Sequence, residues 1–452
     1  MHMRSDLNIR YGEERLPRYT SYPTAPHFSA AISQKTYRQW LASIPQERTV
    51  SLYLHIPFCR SMCWYCGCNT KITRRDEPIA DYLAALRQEI SIVADHIGRP
   101  LKVHQIHFGG GTPTIVTPVQ FAELMNILRQ KFSFLSDTEV AVEIDPRTLT
   151  DEMMLELGAS GVTRASLGVQ SFDPVVQQAI NRVQSFEATA AATEGLRAAG
   201  VRGINFDLIY GLPHQTVASC FDTVRQCLQL RPDRLSVFGY AHVPTFKKHQ
   251  RKIDEAALPD GANRHLQANM IACSLTSAGY RQIGLDHFSL PGDSLTTAHA
   301  AGSLHRNFQG YTNDASDILI GFGASAIGRL DQGYVQNDTA PRSYCELVNG
   351  GDLATRKGYA LTADDRLRAD IIERIMCDFR VDLRQVCSRH GTTPDAVLQS
   401  ASRLHALTAD GVVHLQGSVL SVADDARHLV RSVASAFDAY IGTSGPVYSR
   451  AV

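Results

Sequence analysis

Four of the ten cysteines of this chain lie within a stretch of ten residues. The segment HIPFCRSMCWYCGCNT, residues 55–70, contains Cys59, Cys63, Cys66 and Cys68. Such a density is compatible with a disulfide framework, a zinc site, an iron–sulfur cluster or an ordinary buried turn. The choice among these four decides which chemistry the sequence can support.

The cellular compartment of the chain bears on that choice. The first 25 residues are polar and charged, and they lack the apolar segment of a secretory signal. The sequence also contains no apolar run of about 18 residues, the length that a membrane-spanning helix needs. We therefore expect a cytoplasmic protein whose thiols stay reduced, which favours metal binding or catalysis over disulfides.

The charged residues balance, with 45 Lys and Arg against 45 Asp and Glu. No global field attracts nucleic acid or an anionic membrane, and we expect neither as a partner. An anionic substrate would have to be held by local cations. The chain has 452 residues, of which 44% are hydrophobic, enough for a sizeable core.

The spacing of the cysteines favours an iron–sulfur cluster. A structural zinc ion needs a second pair of ligands beside Cys63 and Cys66, whereas Cys220 and Cys227 share one face of a helical pattern that is typical of a core. The C-x-x-x-C-x-x-C spacing supplies three thiolates to a cluster that usually takes four, which leaves one iron open to a small molecule. The sequence does not exclude Cys68 as a fourth thiolate.

Six short apolar segments alternate with helical patterns between residues 51 and 240. Segments rich in Val, Ile, Leu and Phe are typical of parallel strands covered on both faces. Six such units predict an α/β fold, a parallel sheet or barrel, with functional residues at the carboxyl ends of the strands. The predicted strands are 51–56, 103–108, 139–144, 164–169, 204–210 and 234–240, and the predicted helices are 79–96, 118–132, 150–159, 186–199 and 216–230.

Glycines and polar residues cluster where these predicted strands end. The segment FGGGTP (108–113) has three glycines, which would let the backbone lie against a ligand. Each residue alone is equally well explained as a cap, a surface charge or a core residue, but their shared placement is not. The residues are Gly110, Gly111 and Thr112 after the second strand, Glu143 at the end of the third, Gln170 and Arg182 after the fourth, Asp207 in the fifth and Ala241 after the sixth.

The composition indicates three regions. We predict an N-terminal extension or lid over 1–45, a catalytic barrel domain over 46–345 and a smaller helical domain over 346–452. In the last, residues 368–391 predict helix, GVVHLQGSVLSV (411–422) a hairpin turning near Gln416, and residues 424–441 a final amphipathic helix. Helices with a hairpin resemble a winged-helix module, but without a basic stripe DNA binding is disfavoured.

The cysteine spacing and several longer motifs resemble a known family. C-x-x-x-C-x-x-C is the signature of the radical S-adenosylmethionine superfamily, whose fold is a partial (β/α)6 barrel. The chain resembles its oxygen-independent coproporphyrinogen III oxidases over nearly the full length. The motifs are PRYTSYPTA (17–25), YLHIPFCRSMCWYCGCN (53–69), DLIYGLPHQT (207–216), LDHF (285–288) and LHRNFQGYT (304–312).

The resemblance implies a chemistry and a set of cofactors. In this family a [4Fe–4S] cluster cleaves S-adenosylmethionine reductively to a 5′-deoxyadenosyl radical, which abstracts hydrogen from the substrate. Two propionates of coproporphyrinogen III are thereby decarboxylated to vinyl groups, which gives protoporphyrinogen IX in haem biosynthesis. The resemblance further implies a low-potential electron donor such as flavodoxin or ferredoxin, and we expect a monomer.

The same resemblance implies roles for individual residues. Tyr53 and Glu143 are the expected catalytic residues, and Arg18, His305 and Arg306 are candidates for the substrate carboxylates, since guanidinium groups bind carboxylates well. The cluster ligands are Cys59, Cys63 and Cys66; a first S-adenosylmethionine is expected near Tyr53, Gly110, Glu143 and Ile327, and a second near Tyr65, Gly111, Thr112, Gln170, Arg182, Asp207 and Ala241.

Three other functions compete with this one. A haem-binding chaperone of the same superfamily typically lacks the PRYTSYP segment and the C-x-C cysteine, and this chain has both. A radical enzyme that opens haem anaerobically is disfavoured by HRNFQGYT and by the long N-terminal extension. A zinc-held scaffold would be colourless, whereas a cluster-bearing protein would be brown.

Overall fold

Parallel strands form the centre of the computed structural model, which describes residues 7–12 and 14–441. They follow chain order in space, and neighbours pair in parallel register, as Tyr53 does with His107. The expected partial barrel of β-α units is confirmed. The strands are β1 Thr49–Ile56, β2 Lys102–Gly110, β3 Ser133–Ile144, β4 Arg164–Gln170, β5 Gly203–Tyr210 and β6 Arg234–Gly239.

Helices connect these strands, and the longer ones are amphipathic, so that their apolar sides pack on the sheet. Two of them begin with capping boxes, in which Thr117 and Thr216 accept hydrogen bonds from the backbone N–H three residues later. Helix α1, Gln34–Ala42, precedes the sheet. The connecting helices are α2 Glu77–Ile97, α3 Pro118–Lys131, α4 Asp151–Ala159, α5 Pro174–Ala179, α6 Phe186–Ala198 and α7 Val217–Leu230.

Further strands extend the sheet beyond both edges of the barrel, and the sequence did not predict them. Beyond β6 lie the antiparallel strands β8 and β7; beyond β1 lies the parallel β11, followed by the antiparallel β12, β13 and β14. The bounds are β7 Arg281–Ile283, β8 His287–Ser289, β11 Ile318–Phe322, β12 Ile327–Leu330, β13 Gly333–Asn337 and β14 Thr355–Ala360, with a separate hairpin β9 His305–Asn307 and β10 Gly310–Thr312. Helices α8 Gly261–Ser277, α9 Ser294–Ala300 and α10 Pro341–Asn349 lie between them.

The C-terminal region has its own apolar core. Helix α11 packs there against a three-stranded antiparallel sheet and short helices, and N-terminal residues such as Leu7 and Tyr19 belong to the same core. The elements are α11 Ala363–Asp378, β15 Arg380–Asp382, α12 Leu383–Arg389, α13 Pro394–Ser400, α14 Arg403–Ala409, β16 Val413–Gln416, β17 Val419–Val422 and α15 Val430–Ala434. The predicted helical character and the hairpin near Gln416 are confirmed; the three domain boundaries stay a prediction.

Two predicted helices of this region are wrong in detail. Residues 368–391 do not form one helix, because Phe379 adopts a left-handed backbone (φ 54°), a short strand follows, and Asp382 caps a new helix. The predicted final helix is interrupted: Asp424–Leu429 and Ser435–Phe437 are 3₁₀ turns on either side of α15. Residues 429–437 are buried all round, so the segment has no solvent-exposed face, although Arg431, Ser432 and Ser435 are polar.

Candidate functional site

The cysteine loop begins directly after β1 and ends before α2. Its first residues, Phe58–Cys59, pair in parallel with Lys71–Ile72, which closes the loop at its base. A tight turn joins Cys63 and Cys66, because the N–H of Cys66 donates to the carbonyl of Cys63 at 3.2 Å. Cys59, Cys63 and Cys66 therefore belong to one short loop at the carboxyl end of the sheet.

The sulfurs of Cys59 and Cys63 each accept hydrogen bonds from two side chains that are not cysteines. Thr112 and Thr70 donate to Cys59 Sγ at 3.3 and 3.4 Å, and Arg147 and Arg182 donate to Cys63 Sγ at 3.5 and 3.6 Å. Donors of this kind stabilise negative charge on sulfur, which is the ligand form that a metal centre requires.

Cys66 and Cys68 lie side by side. A hydrogen bond from the Cys68 thiol, with Lys247 and Arg182 nearby, lowers the pKa of Cys66 to about 7 despite burial. Cys68, unlike the other three cysteines, lines the large central cavity.

The donor set fits an iron–sulfur cluster better than a single metal ion. Among residues 7–12 and 14–441, no group of His, Cys, Asp or Glu forms the close shell that one ion needs. A cluster spreads its thiolates over several irons, so its ligands lie farther apart. Three cysteines of one loop, two of them held by hydrogen-bond donors, meet that requirement.

Two glycines of the FGGGTP segment, Gly110 at the end of β2 and Gly111 just after it, serve the loop in a way that the sequence argument did not foresee. A Cβ added at Gly111 would lie 2.5 Å from the Phe58 carbonyl oxygen, and one at Gly110, whose φ is 122°, would lie 2.9 Å from Ile56 O. The N–H groups of Gly111 and Thr112 donate to the carbonyls of Ile56 and Phe58. The glycines are therefore required by close packing of β2 against the cysteine loop, rather than only by space for a ligand.

Tyr53 is tied to the loop through a histidine. The Tyr53 hydroxyl and His55 Nδ1 are 2.9 Å apart, and His55 Nε2 lies 3.0 Å from the carbonyl oxygen of Asn69. Burial lowers the pKa of His55, so the ring is neutral. Its Nε2 must then donate to the carbonyl, and its Nδ1 accepts from Tyr53.

Glu143 is held as a carboxylate near Tyr53. Burial alone would raise its pKa, but donation from His107 Nε2 at 3.1 Å and from the N–H of Gly110 at 3.2 Å keeps that pKa below its ordinary value. The ring of His107 stacks on Tyr53, with centroids 5.9 Å apart. Two of the residues expected at the first cofactor site, Tyr53 and Glu143, thus lie together.

An ion-pair network around Asp145 lies next to the cysteine loop. Its carboxylate accepts from Arg147 at 2.6 Å and from Arg182 at 3.3 Å, and these arginines also reach Cys63. Burial opposes the charge of Asp145, but the two guanidinium groups hold its pKa below the ordinary value. Sequence analysis selected Arg182 but missed Asp145 and Arg147. The only sequence signal for these two residues is that they are the charged residues at the end of the segment EIDPR (143–147).

Gln170 and Asp207 complete the carboxyl ends of β4 and β5. Gln170 is buried and has a left-handed backbone (φ 65°), which is uncommon outside glycine. Burial and the charge of Glu143 raise the pKa of Asp207 to about 6, although Ser166 and Asn205 donate to it at 2.9 Å.

A cavity of about 1580 Å³ opens at these strand ends. It is lined by Glu143, Asp207, Ala241, Arg18 and Arg306 from the predicted set, together with Cys68. That volume exceeds the roughly 300–1,000 Å³ of a site for one drug-sized ligand. The cavity can therefore hold more than one small molecule.

The other predicted residues do not line this cavity, and three of them have different surroundings. The His305 imidazole lies 3.4 Å from Glu373, which raises its pKa, so the structure places it against α11 rather than with the substrate candidates. Tyr65 packs beside an apolar cluster, and its carbonyl accepts from Gln250 at 3.0 Å. Ile327 lies next to Gly321, which pairs with Tyr53 in the neighbouring strand: a Cβ added at Gly321 would be 2.8 Å from the Ile327 carbonyl oxygen.

Arginines dominate the part of the cavity wall away from the cysteine loop. In the described part of the chain eight arginines line it, and two of them, Arg164 and Arg234, pair with the buried Asp293. Arg306 lies 4.4 Å from the centroid of the Tyr311 ring, and its buried Nε and Nη1 have no hydrogen-bond partner. The remaining five are Arg15, Arg18, Arg264, Arg427 and Arg431.

The N-terminal segment closes against the C-terminal one beside these arginines. Arg431 Nε donates to the carbonyl of Pro17 at 3.0 Å, and the Tyr19 hydroxyl donates to Asp438 at 3.0 Å. Burial and the nearby charges of Arg18 and Arg306 lower the pKa of Arg431 to about 9. Like charges held this close favour an anionic ligand between them.

Comparison with known proteins agrees with this geometry. Residues 53–227 match the model of the Radical SAM superfamily. The chain is 63% identical over 450 residues to the oxygen-independent coproporphyrinogen III oxidase of Bradyrhizobium diazoefficiens, covering 100% of both chains. It is 41% identical to the protein of that name from Cereibacter sphaeroides, covering 96% of each.

A solved structure shares the whole fold. The coproporphyrinogen III oxidase HemN from Escherichia coli, described as a radical SAM enzyme, superposes with a TM-score of 0.91 at 38% identity. The match covers 98% of this chain and 100% of that one. No helix among the described residues is long and apolar enough to cross a membrane.

Proposed function

Because the chain belongs to the oxygen-independent coproporphyrinogen III oxidases of the radical SAM superfamily, we propose that it decarboxylates two propionates of coproporphyrinogen III to vinyl groups, which yields protoporphyrinogen IX. One observation carries this proposal. Cys68 of the cysteine loop and a wall of arginines line the same cavity. A substrate with several carboxylates can bind the arginines while its reacting carbon faces the loop.

The arginines of the cavity wall offer hydrogen-bond donors to the substrate carboxylates. The unpartnered Nε and Nη1 of Arg306 are buried donors that a bidentate carboxylate would satisfy. Arg18 and Arg431, whose charges act on each other, would be stabilised by the same anion. The N-terminal segment that carries Arg18 lies across this part of the cavity, and as a lid it would exclude water.

Cys59, Cys63 and Cys66 would hold the [4Fe–4S] cluster, and residues at the strand ends would hold S-adenosylmethionine. Bound together, these groups supply one-electron chemistry that removes hydrogen from an unactivated carbon. The ionised Glu143 is placed to accept from an ammonium or ribose group, and Tyr53 is oriented by its bond to His55.

A second S-adenosylmethionine is part of the proposal. Asp207 and Ala241 line the cavity, and Gln170 and Arg182 lie beside each other, since a Cβ at Gly168 would contact both. Together with the size of the cavity, these polar groups favour two cofactor molecules. We also propose a cytoplasmic monomer that receives electrons from a low-potential donor; all ten cysteines are free thiols, as a reducing compartment requires.

Anaerobic turnover tests the function. Reconstituted protein with dithionite, S-adenosylmethionine and coproporphyrinogen III should release carbon dioxide and form protoporphyrinogen IX. Cys63→Ser should abolish S-adenosylmethionine cleavage, whereas Cys220→Ser, in the buried face of α7, should retain it. If deoxyadenosine forms from the wild type but no vinyl product appears, the substrate assignment is wrong while the radical chemistry stands.

A further inference from the structure

A strongly basic segment lies against the outer side of the cysteine loop and has no part in the chemistry above. Within residues 246–252, FKKHQRK, four cations occur in a chain whose net charge is zero. Lys248, Arg251 and Lys252 are exposed. Among the described residues, neither these three nor Lys247 forms an ion pair with a carboxylate within 4.0 Å.

This segment is fixed to the backbone of the cysteine loop. His249 Nε2 lies 2.7 Å from the carbonyl oxygen of Cys66, and Lys247 Nζ donates to that of Cys68 at 3.0 Å. The buried amide of Gln250 donates to the carbonyl of Tyr65 at 3.0 Å. The segment that carries the cations is therefore hydrogen-bonded to Cys66, an expected cluster ligand, and to Cys68.

An exposed aromatic ring lies beside these cations. Phe246 is 65% exposed, which is unusual for so large an apolar side chain. This ring lines the central cavity, whereas Lys248, Arg251 and Lys252 do not. The exposed cations therefore lie outside the cavity, where charge can select a partner. Lys252 also lies 5.6 Å from the centroid of the Trp64 ring in the loop itself.

The nearby carboxylates do not neutralise the segment. Asp254 caps the following turn by accepting from the N–H of Ala256 at 3.0 Å, and Glu255 pairs with His242 at 3.0 Å. Four cations against these two carboxylates leave residues 247–255 with a net positive charge beside the loop. Such a surface accelerates the approach of a partner of opposite charge.

We propose that residues 247–252 are the docking surface for an acidic protein that donates one electron to the cluster, an inference that rests on the proposed function. Each reductive event needs an electron from outside, and the cavity side of the loop is reserved for substrate and cofactor. The electron passes from the donor to the cluster, whose charge becomes one unit more negative, and the donor leaves oxidised. Opposite charge brings the donor to the place where this path is shortest.

Stopped-flow reduction of the reconstituted holoenzyme tests the surface, with reduced flavodoxin, an acidic one-electron flavoprotein, as the probe. The double variant Lys248→Glu/Arg251→Glu should lower the second-order rate of cluster reduction about tenfold or more at low salt. The neutral pair Lys248→Gln/Arg251→Gln should give a smaller loss. In the wild type the rate should fall as salt is raised.

The matched control is Lys102→Glu/Arg202→Glu, two exposed cations at the amino ends of the barrel strands. It changes the net charge equally and should leave the rate unchanged. Reduction by dithionite and dithionite-driven turnover should be the same in all variants. A failure of the proposed function would therefore appear in the dithionite-driven turnover and not in the rate of reduction by flavodoxin. Equal losses in both pairs, or none in either, would overturn the docking surface, as would binding of the segment to phosphatidylglycerol vesicles in place of flavodoxin.

Discussion

Gly111→Ala is expected to damage the cysteine loop although it adds only one methyl group. The added Cβ would lie 2.5 Å from the Phe58 carbonyl oxygen and 2.7 Å from Thr70 Oγ1. The first distance is about 1 Å inside ordinary van der Waals contact. The carbonyl cannot rotate away, because it accepts a hydrogen bond from the N–H of Thr112 at 2.8 Å. The strain must therefore move β2 and the cysteine loop apart.

Overpacking of this kind costs about 1–3 kcal/mol in the free energy of unfolding. The displaced residues include Thr70 and Thr112, the two donors to Cys59 Sγ. Loss of such supporting contacts typically weakens metal retention about 10–100-fold. We expect a lower urea midpoint and faster loss of iron to a chelator, measured by absorbance of the reconstituted protein under anaerobic conditions.

Gly292→Ala is the matched control, because Gly292 is exposed and a Cβ there would have no atom within 4 Å. It should keep wild-type stability within about 0.5 kcal/mol and bind iron normally. If Gly111→Ala also retained its iron and its urea midpoint, the glycines would not be there to pack the loop, and our explanation of the FGGGTP segment would be refuted.

Three further outcomes are expected. Arg147→Gln should lower the reduction potential of the cluster by an amount on the order of tens of millivolts in an EPR-monitored titration, since Cys63 loses a charged donor, and Arg147→Lys should preserve most of it. The free energy of unfolding of Asp207→Asn should rise relative to that of the wild type as pH increases from about 4 to 6, and the difference should approach about 3 kcal/mol. The reason is that the raised native pKa of Asp207 makes its ionisation unfavourable only in the folded wild type. A stability difference that stays constant across that range would contradict the buried carboxyl. Cys68→Ser should retain four irons and S-adenosylmethionine cleavage, and loss of iron would make Cys68 a ligand.

The barrel could be predicted from the sequence because its signals are local. Each central strand is an apolar run, and most connecting helices begin at a capping side chain such as Thr117 or Thr216. The predicted limits agree with the observed ones to within a few residues, except that β3 begins at Ser133 and not at 139. The added edge strands escaped prediction because segments such as Arg281–Ile283 have three residues, too few to show a period. Residues 429–437 were misjudged because they are buried on all sides, which no amphipathic pattern describes.

The same difference between local and long-range signals applies to the candidate site. The cysteines were visible because their chemistry needs a fixed spacing within one loop. Apart from Thr70, the donors to Cys63 and Cys59 come from the segments that follow β2, β3 and α5. The arginine wall is the extreme case, since it combines Arg18, Arg264, Arg306 and Arg431, which are scattered over more than 400 residues. Sequence analysis selected Arg18 and Arg306, but nothing in the sequence marks Arg264 or Arg431. Only the fold brings them to one cavity, where burial, together with the charges of Arg18 and Arg306, lowers the pKa of Arg431 and favours an anionic ligand.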